Sequence, residues 1–209
     1  VDDKVTFVPF SIPGDVLEIE ITKEKKNYNE GKIVKIIKPS KNRVVPPCPY
    51  FGVCGGCSYQ MLRYEENLLE KQNNVINYFK KNGLLINPSI IKNDRPYNYR
   101  NKITLKIVNK KIGYFKNNSH DIVEINECFL ASNKINEVIK LIPSLNIVNG
   151  EVIIRCNYKD EVLIIISTND NVEISKIKDI KNLKGIILNN KTIYKDNYFI
   201  EEVNDIKYN

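Results

Sequence analysis

Three cysteines crowd into one short stretch of the chain, CPYFGVCGGCSYQ at residues 48–60. Cys48, Cys54 and Cys57 have the spacing C-x5-C-x2-C. The glycines between them let the backbone bend around a compact core, and the neighbouring prolines stiffen the approach. The loop therefore predicts three thiolates directed at one inorganic centre.

The three thiols leave the identity of the metal open. Zinc is usually held by two C-x2-C pairs, or by one pair and two histidines, whereas this chain has one such pair and a single histidine, His120. A [4Fe–4S] cluster takes one thiolate per iron. We expect a [4Fe–4S] cluster, with four-cysteine zinc and unliganded thiols as the alternatives. A ferredoxin-type electron carrier is disfavoured because its C-x2-C-x2-C run is absent.

The fourth ligand has two candidates, Cys128 and Cys156. Cys128 follows a predicted strand and precedes a predicted helix, so its thiol can point out of a turn into a neighbouring loop. Cys156 lies inside the apolar strand VIIRCNY, where a cysteine behaves as a small hydrophobic residue. We therefore predict that Cys128 completes the set and that Cys156 belongs to the core.

The composition favours a globular cytoplasmic protein without membrane spans. Apolar residues make up 42% of the 209 residues, and no long apolar run or secretory leader is visible. In the cytosol thiols stay reduced, so clustered cysteines more often hold metal than form disulfides. The five cysteines fit four ligands and one additional core residue.

Positive charge is concentrated in one segment. The formal net charge is +7, and residues 92–116 contain eight basic residues and one acidic residue. Within it, basic and aromatic side chains alternate, which suits binding of phosphates and stacking of unpaired bases. The candidate RNA contacts in this segment are Arg95, Tyr99, Arg100 and Lys102. The alternative is a solvated surface rich in lysine.

Hydrophobic periodicity predicts an α+β fold. Short strands with Pro/Gly turns over residues 5–37 suggest a small barrel. The spacing over residues 61–82 predicts a helix that ends at Gly83, and a second helix begins near Ser132. Most of the remainder alternates as strands of a mostly antiparallel sheet, with VLIIIS as a central strand because it is apolar throughout.

The cysteine segment resembles a known family. PSKNRVVPPCPYFGVCGGCSYQMLRYEENLLEKQ is similar to the iron–sulfur segment of the bacterial RNA uracil-C5 methyltransferases, and more narrowly of their 23S ribosomal RNA branch. That family has a basic residue before V-x-P-x-C-P, represented here by Arg43, and then C-G-G-C. The stretch from Gly113 through Tyr114 and Ser119 to Cys128 resembles the segment that carries the fourth ligand. Residues 5–37 resemble a TRAM domain, an oligonucleotide-binding-type barrel that lacks its first strand here.

The resemblance implies a domain order and an activity. We expect a TRAM-like barrel at residues 1–45 and a central iron–sulfur and RNA-binding domain at residues 46–209. The Rossmann-type domain that binds S-adenosylmethionine is expected to be absent, since the glycines after Gly56 are isolated. The intact relative would methylate C5 of a single-stranded loop uridine in 23S rRNA, whereas this chain alone would be inactive.

The resemblance also adds two RNA contacts, Arg43 and His120. The remaining expectations are a cytoplasmic monomer and a cluster that aerobic handling can remove. A zinc-bound, non-enzymatic RNA-binding module is the alternative function.

Overall fold

The computed structural model describes residues 4–208, so residues 1–3 and 209, at the ends of the two predicted domains, lie outside the described residues. The chain forms two compact units. The first comprises Val1–Gly52 and Cys57–Asp94, and the second comprises Val53–Gly56 and Arg95–Asn209. The boundary predicted after residue 45 falls inside the first unit.

The first unit begins with a three-stranded sheet of order β1-β3-β2. Its strands are β1 (Val5–Phe7), β2 (Val16–Glu24) and β3 (Tyr28–Lys38). β2 and β3 pair antiparallel, whereas β1 pairs with β3 in parallel. In β2 the apolar residues Leu17, Ile19 and Ile21 are half-buried and alternate with exposed residues, which is the period-two pattern of a strand. The predicted small barrel is not confirmed by this sheet.

Helix α1 (Tyr64–Lys81) completes the first unit. Leu68, Gln72, Ile76 and Phe79 are half-buried at the predicted spacing of three or four residues, whereas Leu69 and Val75 of the predicted face are exposed. No residue of the helix is fully buried. Gly83 has φ +80°, and the Leu84 amide donates to the Phe79 carbonyl at 3.0 Å, which confirms the predicted stop. The small core of this unit lies before the helix and contains Ile12, Met61 and Leu62.

The second unit is built on a seven-stranded sheet of order β10-β9-β8-β7-β4-β5-β6. The strands are β4 (Lys102–Val108), β5 (Lys111–Phe115), β6 (Ile122–Glu124), β7 (Gly150–Cys156), β8 (Val162–Thr168), β9 (Leu183–Leu188) and β10 (Lys191–Lys195). All neighbours pair antiparallel except β8 and β9, which confirms the predicted mostly antiparallel sheet. β8, the VLIIIS strand, is central and largely buried, as predicted.

Two short helices lie between strands of this sheet. Helix α2 (Asn133–Ile139) follows β6 and is followed by a 3-10 turn (Ile142–Leu145), and helix α3 (Ser175–Lys178) follows β8. Ser132 caps α2, since its hydroxyl accepts the Ile135 amide at 3.2 Å. Buried side chains of α2 pack on the sheet together with buried residues of β4, β7 and β8. A terminal hairpin, β11 (Glu201–Val203) and β12 (Ile206–Tyr208), ends the unit. No helix within residues 4–208 is long and apolar enough to cross a membrane.

Candidate functional site

The four predicted cysteine ligands are half-buried, and each unit contains two of them. Cys48 and Cys57 lie in the first unit, and Cys54 and Cys128 lie in the second. Within residues 4–208, no three side chains of Cys, His, Asp or Glu lie close enough together to form a metal site in this structure. The four-cysteine cluster therefore stays a prediction.

Cys54 is held against the end of β5 by its own short loop. It forms an isolated antiparallel bridge with Lys116, and the Gly55 amide donates to the Phe115 carbonyl at 3.0 Å. A Cβ at Gly55 would also stand 3.0 Å from that carbonyl oxygen, so a larger residue would push the loop away. The Gly56 amide donates to the Cys54 Sγ at 3.4 Å. Such an amide stabilises a sulfur that carries negative charge.

Cys128 lies in a turn that Asn136 of α2 fixes. The Asn136 Oδ1 accepts the Cys128 amide at 2.8 Å, and its Nδ2 donates to the Cys128 carbonyl at 3.1 Å. The Ala131 amide donates to the same carbonyl at 3.0 Å. The predicted turn position of Cys128 is confirmed.

The hydroxyl of Tyr114 lies beside these two cysteines. It is buried, and no described residue offers it a hydrogen bond of normal geometry. Burial is the main cause that raises the pKa of Tyr114, and the neighbouring Cys128 raises it further. Cys54 also raises the pKa of Tyr114, and the positive charge of Arg100 lowers it.

The donor set suits a metal cluster in its chemistry. The backbones of Cys54 and Cys128 are held by neighbouring residues, and the Gly56 amide donates to the Cys54 Sγ. In iron–sulfur proteins, hydrogen bonds to the ligating sulfurs adjust the reduction potential of the cluster. Two thiols in the second unit do not make up the four-ligand set that a [4Fe–4S] cluster needs, so the cluster stays a prediction.

Cys156 behaves as a core residue. It is 2% exposed, and burial, together with the nearby Asp160, raises the pKa of its thiol to about 11. A thiol with that pKa is protonated near neutral pH and is a poor nucleophile. The prediction that Cys156 belongs to the core is confirmed.

A strip of positive charge lies on the exposed side of the second sheet. Lys102 on β4 stands directly opposite Arg155 on β7, and both side chains are exposed. Like charges at directly opposed positions destabilise an antiparallel pair. The Arg155 guanidinium also lies 5.3 Å from the centroid of the Phe199 ring. No acidic side chain of the described chain forms an ion pair with either of them.

Aromatic side chains extend the same strip. Lys106 lies on the same side of β4 as Lys102, forms an ion pair with Glu151 and lies 6.0 Å from the centroid of the Phe115 ring. The His120 ring meets Phe115 edge-on, with centroids 5.2 Å apart. We call the surface formed by Lys102, Lys106, Phe115, His120 and Arg155 the basic face.

Three other predicted RNA contacts, Arg95, Tyr99 and Arg100, are not members of the basic face. Arg95 and Tyr99 are exposed in the segment that leads to β4, and Tyr99 is 50% exposed. Arg100 is half-buried near the cysteines, and its backbone is held by Leu130 and Ser132. These three residues stay predicted RNA contacts.

Arg43 has a structural position in the first unit. It forms an ion pair with Asp15, and its Nη2 also donates to the Phe10 carbonyl at 2.8 Å. Its side chain is 14% exposed and that of Asp15 is 1% exposed. An RNA contact by Arg43 remains a prediction and would have to use its other Nη group.

Sequence reasoning missed Arg155. A single charge inside the apolar run VIIRC was a usable signal, because an arginine in such a strand must lie on its exposed side. The pairing with Lys102 was not visible, since it depends on the register between strands about 50 residues apart.

Comparisons with known proteins show which families the chain resembles. The TRAM domain family matches residues 1–34, which confirms the predicted TRAM segment. The 23S rRNA (uracil(1939)-C(5))-methyltransferase RlmD of Francisella tularensis subsp. novicida is 36% identical over 161 residues, covering 70% of this chain and 36% of the relative. An uncharacterized RNA methyltransferase of Clostridium acetobutylicum is 32% identical over 225 aligned positions, covering 91% of this chain and 49% of the relative.

A solved structure shares the fold. The Pyrococcus abyssi tRNA (uracil-54, C5)-methyltransferase in complex with S-adenosyl-L-homocysteine superimposes with a TM-score of 0.76 at 19% identity. The match covers 97% of this chain and 54% of that chain. By sequence, the chain covers 36% of the length of the Francisella relative and 49% of the length of the Clostridium relative.

Proposed function

We propose that this chain binds and orients the RNA substrate of a 23S rRNA (uracil-C5)-methyltransferase. The chain belongs to the family that includes these enzymes. The observation that carries the proposal is the exposed pair Lys102 and Arg155, two cations that face each other across β4 and β7. A phosphate between them would relieve their repulsion, and the nearby Phe115 and His120 rings offer stacking surfaces for unpaired bases.

The activity of the whole protein forms part of the same proposal. It would transfer a methyl group from S-adenosylmethionine to C5 of a uridine in single-stranded 23S rRNA. In that reaction the residues of this chain hold phosphates and bases, while Cys156 takes no part as a nucleophile because its thiol stays protonated. The expectation that residues 1–209 alone transfer no methyl group is still a prediction.

We further propose a [4Fe–4S] cluster held by Cys48, Cys54, Cys57 and Cys128. When bound, such a cluster supplies metal–ligand energy that becomes folding energy, and it links the cysteine loop to the turn at Cys128. Iron, acid-labile sulfide and zinc analysis of anaerobically purified protein separates this cluster from the zinc alternative. About four irons and four sulfides per chain support it, whereas stoichiometric zinc without sulfide contradicts it.

The salt dependence of RNA binding tests the basic face. We expect the chain to bind a uridine-containing RNA hairpin with an affinity that falls steeply as salt rises. Replacing a lysine or arginine that contacts phosphate should lower the slope of log K against log salt by about 0.7–1 per residue. The double variant Lys102→Gln/Arg155→Gln should therefore lose about 1.4–2 from the slope.

A matched control removes two cations elsewhere in the second unit. Lys191 and Lys195 lie on the edge strand β10, away from the basic face in the strand order. Lys191→Gln/Lys195→Gln should leave the slope unchanged within about 0.5. Equal slopes for both double variants would mean that binding is spread over the whole basic surface, and the proposed site would be wrong.

A further inference from the structure

A small pocket lies where the turn between β7 and β8 meets the terminal hairpin, within the second unit. Its volume is about 160 Å³. A cavity of about 150 Å³ admits one benzene ring, so the pocket has room for a single ring or a single phosphate group. Three lysines, two tyrosines and one glutamate line it, namely Lys159, Lys184, Lys207, Tyr158, Tyr198 and Glu161.

Hydrogen bonds from the buried Asn157 fix the walls of this pocket. The Asn157 Nδ2 donates to the Ile200 carbonyl at 2.8 Å, which ties the turn to the segment before the hairpin. The Asn157 Oδ1 accepts the amides of Lys159 at 3.0 Å and Glu161 at 2.9 Å. The Tyr158 hydroxyl donates to the Glu202 carboxylate at 2.7 Å. The pocket is therefore formed without a ligand, as binding sites for small groups usually are.

The charges around the pocket favour an anion. Glu161 is its one acidic lining residue, and Lys184 forms an ion pair with it at 3.7 Å. The two other lysines, Lys159 and Lys207, form no ion pair with an acidic side chain of residues 4–208. Two such cations at the mouth of one concave site attract a phosphate.

One tyrosine of the pocket offers a ring to a planar ligand. Tyr198 is 50% exposed, and its ring contacts no other ring or cation of the described chain. Tyr158 is equally exposed, but the Lys159 Nζ lies 5.2 Å from the centroid of its ring. An unpaired base stacks on such an exposed aromatic ring, whatever its sequence. A ring beside two cations suits one nucleotide.

The pocket is continuous with the basic face. Phe199 lies between two of the pocket-lining residues, Tyr198 and Ile200, and is 5% exposed. The guanidinium of Arg155, a member of the basic face, lies 5.3 Å from the centroid of the Phe199 ring. A single RNA strand that lies on the basic face therefore reaches the pocket next to Arg155.

We propose that this pocket binds one nucleotide of the RNA strand that lies on the basic face. The base stacks on the Tyr198 ring, and Lys159 and Lys207 contact a phosphate of the same strand. The inference deepens the proposed function and rests on its RNA-binding part.

The test measures binding of the full chain to a uridine-containing hairpin that carries a single-stranded oligouridine extension, by fluorescence anisotropy over a range of salt concentrations. Lys159→Gln/Lys207→Gln should lower the slope of log K against log salt by about 1.4–2, because two phosphate contacts are lost. Tyr198→Ala should weaken binding about tenfold and leave the slope unchanged, because it removes stacking and no charge. Tyr198→Phe keeps the ring and should keep the wild-type affinity.

Matched controls lie in the same unit. Tyr208 belongs to the same hairpin and is 51% exposed, but it does not line the pocket, so Tyr208→Ala should keep the wild-type affinity. Lys191→Gln/Lys195→Gln removes two cations of the edge strand β10 and should keep the wild-type slope.

The possible failures are distinguishable. If wild type does not bind the extended hairpin, the proposed function is wrong and this inference is wrong with it. If Lys102→Gln/Arg155→Gln lowers the slope while the pocket variants match wild type, the basic face stands and the nucleotide pocket is refuted. A lower slope for Lys159→Gln/Lys207→Gln with wild-type affinity for Tyr198→Ala would show a phosphate contact without a bound base, which also refutes the pocket.

Discussion

The ion pair between Asp15 and Arg43 allows a quantitative prediction about the first unit. The Asp15 carboxylate also accepts the Ser40 amide at 2.9 Å and the Ile12 amide at 3.0 Å. The hydrogen bond from Arg43 is the main cause that lowers the pKa of Asp15 from 3.8 to about 2, against the effect of burial. By linkage, this difference corresponds to roughly 2 kcal/mol of stability at neutral pH.

The sign of the pH dependence follows from the lowered pKa. The stabilisation is complete well above the unfolded-state value of 3.8 and disappears as the pH falls through the folded-state value of about 2. About 1 kcal/mol of it should be lost between pH 7 and pH 3. Asp15→Asn cannot ionise, and it leaves the partly buried Arg43 charge without its anion, so it should cost about 3 kcal/mol at pH 7.

The assay is urea unfolding followed by circular dichroism at pH 7, 5, 4 and 3. The difference in unfolding free energy between wild type and Asp15→Asn should shrink by about 1 kcal/mol from pH 7 to pH 3. Glu20→Gln is the control, since Glu20 forms a 3.0 Å ion pair with Lys32 and is 57% exposed. Its cost should stay below about 1 kcal/mol. A difference for Asp15→Asn that is the same at pH 7 and pH 3 would refute the reasoning.

Two other predictions concern the cysteines of the second unit. Asn136→Ala should destabilise the protein by about 1–3 kcal/mol in urea unfolding, because the amide and carbonyl of Cys128 lose their partner. The control is Asn133→Ala, at an exposed position of the same helix, which should cost less than about 1 kcal/mol. Equal costs for the two variants would contradict the role of Asn136. Iodoacetamide at pH 8 should leave Cys156 unlabelled in the folded protein, because its thiol is buried and its pKa is about 11. In urea the same thiol should be labelled, as measured by peptide mass spectrometry. Rapid labelling of Cys156 in the folded protein would contradict its assignment to the core.

Local patterns predicted most of the regular structure. The alternation in β2, the helical spacing of α1 and the apolar run of β8 each depend on neighbours in sequence, so the residues themselves specify the element. The stop at Gly83 was also local, since glycine readily adopts the positive φ found there.

Interactions between distant residues were not predictable in the same way. The family resemblance predicted an RNA contact for Arg43, whereas its ion pair with Asp15, 28 residues earlier in the chain, was not visible in the sequence. The pairing of Lys102 with Arg155 and the approach of Tyr114 to Cys128 likewise depend on how the strands and turns assemble. Closure of the predicted barrel is not a local property either, because short strands with similar patterns can pair in parallel, as β1 and β3 do.

The position of RNA on the basic face is tested most directly by photo-crosslinking. A uridine-containing hairpin that carries 4-thiouridine is irradiated with the chain, and the crosslinked peptides are identified by mass spectrometry. Crosslinks should concentrate in the peptides that contain Phe115 and His120, the two aromatic residues of the basic face. Crosslinks confined to peptides from β9 to β12, with none at these residues, would contradict the proposed interface.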